Sequence, residues 1–136
     1  MSMKMILLAA AFAATNSTSV LAVDAESAYA TGKFAEALAL FEEHGLEGDV
    51  QAQELVGMMY LVGPTLYGSD VPADPERAAR WLWAAAMNGS TKSRFVLAHM
   101  YRAGIGVPTD LARSDTLLAE ATGTHVQPVT LTAAHR

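Results

Sequence analysis

The chain contains no cysteine. This excludes a disulfide framework, thiolate metal sites, a cysteine nucleophile and a lipidated cysteine anchor. Charge is sparse as well: 17% of the residues are charged, against 51% that are hydrophobic. A disordered chain needs the opposite balance, so most of the sequence is expected to fold. Basic residues are the scarcer sign, 9 against 14 acidic, for a net charge of −5. That argues against nucleic acid as a partner, because such proteins carry a basic footprint. The apolar run Met5 to Ala14 has ten residues, well short of the about 20 needed to span a bilayer. The length of 136 residues suits one small domain.

Catalytic and metal-binding patterns are missing too. The four histidines, His44, His99, His125 and His135, include no pair at i, i+4 on a helix, so there is no HExxH-type site. Gly-x-Ser-x-Gly, phosphate-loop and dinucleotide glycine patterns are absent. Glu42 and Glu43 are adjacent on a helix and diverge, so they do not form an acid–base pair. No catalytic residue, cofactor or metal ion is therefore expected.

The N-terminus reads as an address. Lys4 gives a positive start, Met5 to Ala14 an apolar centre, and Val20 and Ala22 the small residues of a cleavage site. This is the order of a secretory signal peptide, residues 1–22, with cleavage after Ala22; Ala13 is the alternative. The mature chain would have 114 residues, a charge of −6, no membrane span, and a periplasmic or secreted location.

The rest of the chain repeats itself. Gly48 to Gly63 aligns with Gly89 to Gly104 at an offset of 41, placing Met59 on Met100, Tyr60 on Tyr101 and Gly63 on Gly104. Val71 to Asp74 aligns with Val107 to Asp110 at an offset of 36, so the first copy carries five extra residues in the loop Pro64 to Val71. A period of 36 belongs to helical-hairpin repeats. Asp74-Pro75-Glu76 is a helix start, with an N-cap acid, a first-position proline and a first-turn acid. Asp110 is a second N-cap, Ser90 a third, and Asn88-Gly89 and Gly123 are stops. These signals predict helices over Asp24 to Thr31, Phe34 to His44, Val50 to Val62, Asp74 to Met87, Thr91 to Ala103 and Asp110 to Thr122. The helical domain would cover residues 23–123, with 124–136 as a flexible tail.

Val56-Gly57 with Tyr60, then Gly63, Val71, Asp74, Ala78, Trp81 and Ala85-Ala86, resembles the Sel1-like repeat, a relative of the tetratricopeptide repeat. The second copy has Leu97-Ala98, Tyr101, Gly104 to Val107 and Asp110, and Gly32, Phe34, Ala37 and Phe41 are similar to a tetratricopeptide turn and second helix. The resemblance implies an all-α fold: a short right-handed α-solenoid of about three helix hairpins. Copy two departs from the pattern, with Ser114 at the place of Ala78, Leu117 at that of Trp81 and Thr122 at that of Ala86. A worn last repeat fits a cap. Some secreted relatives are cysteine-rich and have been described as penicillin-binding or β-lactamase-like. This chain has none of those cysteines, so that activity does not transfer.

Each hairpin must bury one apolar side against a neighbour. Leu55, Val56, Met59 and Tyr60, and their counterparts Val96, Leu97, Met100 and Tyr101, mark that side. Gly57 and Ala98 are small where helices approach. The opposite face of the first helices carries Gln51, Glu54, Met58 and Leu61 in one copy and Lys92, Phe95, His99 and Arg102 in the next, with Glu26 and Tyr29 upstream. The resemblance implies that these positions line a concave groove. Apolar anchors among charges suit a peptide or protein segment. Leu66 and Tyr67 in the insertion either contact a partner or fold back over the hairpin. Charge is uneven: Asp24 to Glu54 holds eight acids and one base, Lys33.

The expected function is a non-catalytic protein-interaction module of the cell envelope. Two other classes stand beside it. One is a cell-wall-acting or β-lactamase-like hydrolase using Glu54 and His99; the other is a structural subunit that oligomerises by stacking ends.

Overall fold

The computed structural model describes residues 24–124. The signal peptide, its cleavage site and almost all of the C-terminal tail lie outside the described residues.

Among the described residues seven helices follow one another: α1 (residues 24–30), α2 (Phe34–Leu46), α3 (Val50–Val62), α4 (Pro64–Tyr67), α5 (Pro75–Met87), α6 (Thr91–Ala103) and α7 (Leu111–Thr122). No strand occurs among the described residues. The expected all-α solenoid of three hairpins is what forms: α1 with α2, α3 with α5, and α6 with α7. Adjacent hairpins meet through α2 against α3 and α5 against α6. Several boundaries differ from expectation: α1 stops one residue before Thr31, and α5 and α7 begin one residue after their caps Asp74 and Asp110. Helix α2 runs two residues past His44, to Leu46. The insertion contributes a helical turn, α4, which starts on Pro64 at the first helical position.

The caps act as the residue types predict. Asp49 accepts from the N–H groups of Gln51 and Ala52. Asp74 accepts from Arg77 N–H, Ser90 from Ser93 N–H and Asp110 from Arg113 N–H. Each satisfies a donor that the first helical turn leaves free. Gly104 ends α6 in the left-handed region at φ 70°, which a side chain would resist.

A second device closes each repeat. The N–H of Asp74 donates to Tyr60 O, and the Arg77 guanidinium returns to the Tyr60 hydroxyl at 2.8 Å, stacked 5.1 Å from the ring. In the next repeat Asp110 N–H donates to Tyr101 O, and Arg113 returns to the Tyr101 hydroxyl at 3.3 Å, 5.4 Å from its ring. The same three positions thus join the end of the first helix to the start of the last one.

The core is built from Val56, Met59, Tyr60, Leu82, Leu97, Met100 and Leu117, with alanines between. Leu55, Val96 and Tyr101 are only half-buried and pack against it. Trp81 is half-buried and lies over Gly45 of α2: a Cβ there would come within 2.6 Å of its ring. Ser114, at the alanine position of copy two, is fully buried and donates to Ala98 O at 2.8 Å. A hydroxyl is tolerated there because it has found an acceptor.

Gly57 is where α3 meets α5. A Cβ on it would stand 2.6 Å from Leu82 Cγ and 3.2 Å from the Leu82 backbone nitrogen. Inside a helix, Gly→Ala by itself favours folding by about 0.5–1 kcal/mol. Overpacking costs about 1–3 kcal/mol, so the clash wins. Gly57→Ala is expected to lower the melting temperature of the parent protein and to raise it in a Leu82→Ala background. Stabilisation in both backgrounds would refute the close approach.

Candidate functional site

Helices α1, α3 and α6 carry the ten groove positions, and the structure sorts them into three groups. Glu26, Tyr29 and Gln51 come together around a pocket of about 210 Å³ between α1, α2 and the start of α3. Glu54 and Lys92 face each other across two repeats, Oε1 to Nζ 2.9 Å, and the Ser90 hydroxyl donates to the other Glu54 oxygen at 2.6 Å. The third group is the outer part of the face. Met58 and Leu61 are half-buried against the core, whereas Phe95 is 44% exposed and His99 is exposed. Arg102, also exposed, pairs with Asp115 of α7 at 2.9 Å.

Glu54 is therefore tied into the scaffold as well as placed on the face. Burial pushes its carboxyl up, but the hydrogen bonds from Lys92 and Ser90 and the charge of Lys92 outweigh this and hold it below the ordinary value. A general acid needs a raised pKa. The alternative reading, in which Glu54 and His99 serve hydrolysis, finds no support in that environment.

Of the two alternatives for the insertion, Tyr67 takes the one that folds back. It is buried at 7% exposure and does not face a partner. Helix α4 turns it back onto α1 and α2, where its ring lies 5.1 Å from Phe34 and 6.0 Å from Tyr29, with the two tyrosine hydroxyls 3.3 Å apart. Four aromatic rings, with Phe41, cover the open side of the short first hairpin. Edge-to-face contacts and area burial favour that position over solvent. Leu66 beside it stays 62% exposed. Burial pushes the Tyr67 hydroxyl up to about 12, reinforced by Tyr29.

Sequence reasoning passed over three sets of residues. Gln53 is buried and bridges two hairpins, donating to Gly45 O at 2.9 Å and accepting from Asn88 at 3.1 Å. His44 and Asp49 join Glu26, Tyr29 and Gln51 around the pocket. Arg113 stacks 5.5 Å from the half-exposed Trp83 and also on Tyr101, beside a shallow cavity of about 600 Å³. Only Arg113 had a legible signal, its place at the repeat position of Arg77.

No group of three or more His, Asp or Glu among the described residues is arranged to hold a metal ion. No helix among them is long and apolar enough to cross a membrane.

Comparison with known proteins agrees with this architecture. The family model of the Sel1 repeat matches residues 50–90 and 91–114, the two copies found by internal alignment. The crystal structure of a Sel1 repeat protein from Oxalobacter formigenes is 35% identical, with a TM-score of 0.58 over 65% of this chain and 24% of that one. A protective antigen present in uropathogenic Escherichia coli strains, displaying an SLR fold, is 26% identical, with a TM-score of 0.60 over 66% of this chain and 18% of its own. Among curated proteins, mouse DAP3-binding cell death enhancer 1 is 32% identical over 78 residues, and its rat counterpart 31%. Those residues are 57% of this chain but 14% of the mouse and rat proteins, so the chain spans a small part of them.

Two measurements check the site. Glu54 and Lys92 are expected to couple by about 0.5–1 kcal/mol in a double-mutant cycle of Glu54→Gln and Lys92→Ala, less at high salt. A carboxyl held low contributes stability above its unfolded pKa of about 4.3, and that stability is lost as pH falls through the folded value. The coupling should therefore vanish in acid. Tyr67 has the opposite sign. With its folded pKa raised, its contribution is complete below about 10 and disappears as pH climbs toward 12. Tyr67→Phe should flatten this alkaline loss, and Tyr67→Ala should cost about 3 kcal/mol by chemical denaturation.

Proposed function

We propose that this chain is a Sel1-type repeat protein that binds an extended peptide or protein segment along the face of α1, α3 and α6 and performs no catalysis. Sel1 repeats generally mediate protein–protein interaction, and repeats of this kind are generally non-catalytic. The observation that carries the groove is Phe95. A large aromatic ring, 44% exposed, sits one turn from the exposed imidazole of His99, with Met58 and Leu61 on the matching face of α3. Aromatic side chains at that level of exposure are the anchors interfaces favour. Lys92 and Arg102 bound the same face, and the exposed Arg102–Asp115 pair is weak enough to exchange for a partner's charges. The mouse and rat relatives carry the binding of another protein, DAP3, in their names, a precedent for protein binding in a molecule that shares this stretch.

The location we propose is the periplasm or the outside of the cell. It is supported by the order of charge, apolar run and small residues at the N-terminus.

The test is capture of partners from an envelope extract by the parent protein, Phe95→Ala and His99→Ala. Both variants should fold, since neither side chain is in the core. Each is expected to lose partners the parent retains. Identical partners at identical strength in all three would refute the groove.

A further inference from the structure

We infer that the shallow cavity where α5 meets the turn into α7 is a docking site for an acidic side chain, aspartate or glutamate, of a protein partner, and that the partner's carboxylate completes the latch of the second repeat. The cavity shares no residue with the proposed groove on α1, α3 and α6.

The two repeats supply the template. Counted back from Gly48 and Gly89, the offset of 41 places Ala37 on Ala78, Phe41 on Leu82 and Gly45 on Ala86, all buried, and Glu42 on Trp83. In the first repeat the Tyr60 hydroxyl accepts from Arg77 at 2.8 Å and donates to Glu42 Oε1 at 2.5 Å. In the second, the Tyr101 hydroxyl accepts from Arg113 at 3.3 Å, and among the described residues its own proton has no acceptor. Trp83 replaces Glu42 only in part. Its ring takes a flat face of the Arg113 guanidinium at 5.5 Å, but it carries no charge and accepts no hydrogen bond from a hydroxyl at its nitrogen.

No acidic side chain of this chain takes that place. All fourteen lie among the described residues, and none forms an ion pair with Arg80 or Arg113. Asp110 caps the N–H of Arg113, as Asp74 caps that of Arg77 in the repeat where Glu42 is also present. Glu76 lines the cavity, but Arg80 and Arg113 line it too, so its wall keeps an excess of positive charge.

The site is open and already shaped. Trp83 is 37% exposed, both arginines are exposed, and the cavity measures about 600 Å³. Gly106 presses its turn so closely against the Pro75 carbonyl that a Cβ would collide with it. Arg113 is held over the Trp83 and Tyr101 rings. Stacking engages the faces of a guanidinium, while its N–H donors lie in the plane, the arrangement that a carboxylate can meet with two hydrogen bonds. Little freedom of that side chain is left to lose on binding. Trp83 and Pro108 beside it offer apolar surface to the residues that flank a partner's acid.

The test uses the full chain and two acetylated, amidated peptides, Gly-Leu-Glu-Leu-Gly and Gly-Leu-Gln-Leu-Gly, followed by NMR at the Trp83 indole N–H and the Arg113 Nε–H. The glutamate peptide should shift both signals and bind about tenfold more tightly than the glutamine peptide, with the gap narrowing at high salt. Tyr101→Phe and Arg80→Gln should each weaken the glutamate peptide about threefold and leave the glutamine peptide unchanged. Trp83→Glu supplies the carboxylate within the chain. It should melt at a higher temperature than Trp83→Gln and abolish binding of the glutamate peptide, which Trp83→Gln retains in part.

Equal affinity for both peptides, no shift at Trp83 and Arg113, or full binding by Trp83→Glu would overturn the site. Equal loss of binding in Trp83→Glu and Trp83→Gln would make the indole the determinant and overturn the vacant carboxylate place. Inorganic phosphate binding as tightly as the glutamate peptide would overturn the assignment to an acidic side chain.

Discussion

Each complete repeat closes on a single backbone hydrogen bond, from the N–H of an N-cap aspartate to the carbonyl of a tyrosine at the end of the repeat's first helix. Asp74 and Tyr60 make it once, and Asp110 and Tyr101 make it again. The aspartate side chain then starts the last helix, and the arginine three residues on returns to the tyrosine hydroxyl and ring. One contact thereby fixes where the last helix begins, how it is capped and how it lies against the first. That is why five extra residues in the first repeat do little harm. Lengthening a loop costs only a slowly growing entropy once its ends are held.

With no cysteine, everything beyond the latch comes from packing. Small residues let the helices approach until large ones interlock: Gly57 against Leu82, Gly45 under Trp81, Ala98 beside the buried hydroxyl of Ser114. Two polar side chains, buried Gln53 and half-buried Glu54, span elements. Gln53 joins the end of α2 to the end of α5, and Glu54 joins α3 to the start of α6. These contacts set the register between hairpins, and with it the continuity of the face formed by α1, α3 and α6.

That face is uneven. Its middle is occupied by the Glu54 pair, its C-terminal part offers exposed Phe95 and His99, and its N-terminal part sinks into an acidic pocket. A ligand running along it would meet carboxylates at one end and an aromatic anchor at the other. On the proposed groove reading, such a gradient would orient an extended segment as well as hold it, because reversing the segment would misplace its charges.

The sequence by itself determined the helices, the repeat register and the caps. Apolar periodicity, N-cap acids and stop glycines act over a few residues, and internal alignment extends them by one period. It also determined which side of each first helix is buried, since Met59, Tyr60 and Met100 repeat at a fixed spacing. Only the tertiary structure decided what the remaining side chains do. Tyr67 and Leu66 are neighbours, yet the tyrosine closes the first hairpin and the more apolar leucine faces water, because a helical turn in the insertion points them apart. Glu54 and Lys92 share the groove pattern with Phe95 and His99 but find each other 38 positions apart. His44 and Glu26 come from different helices and meet around a pocket that neither helix encodes alone. Such encounters depend on how hairpins stack, and local patterns carry no record of that.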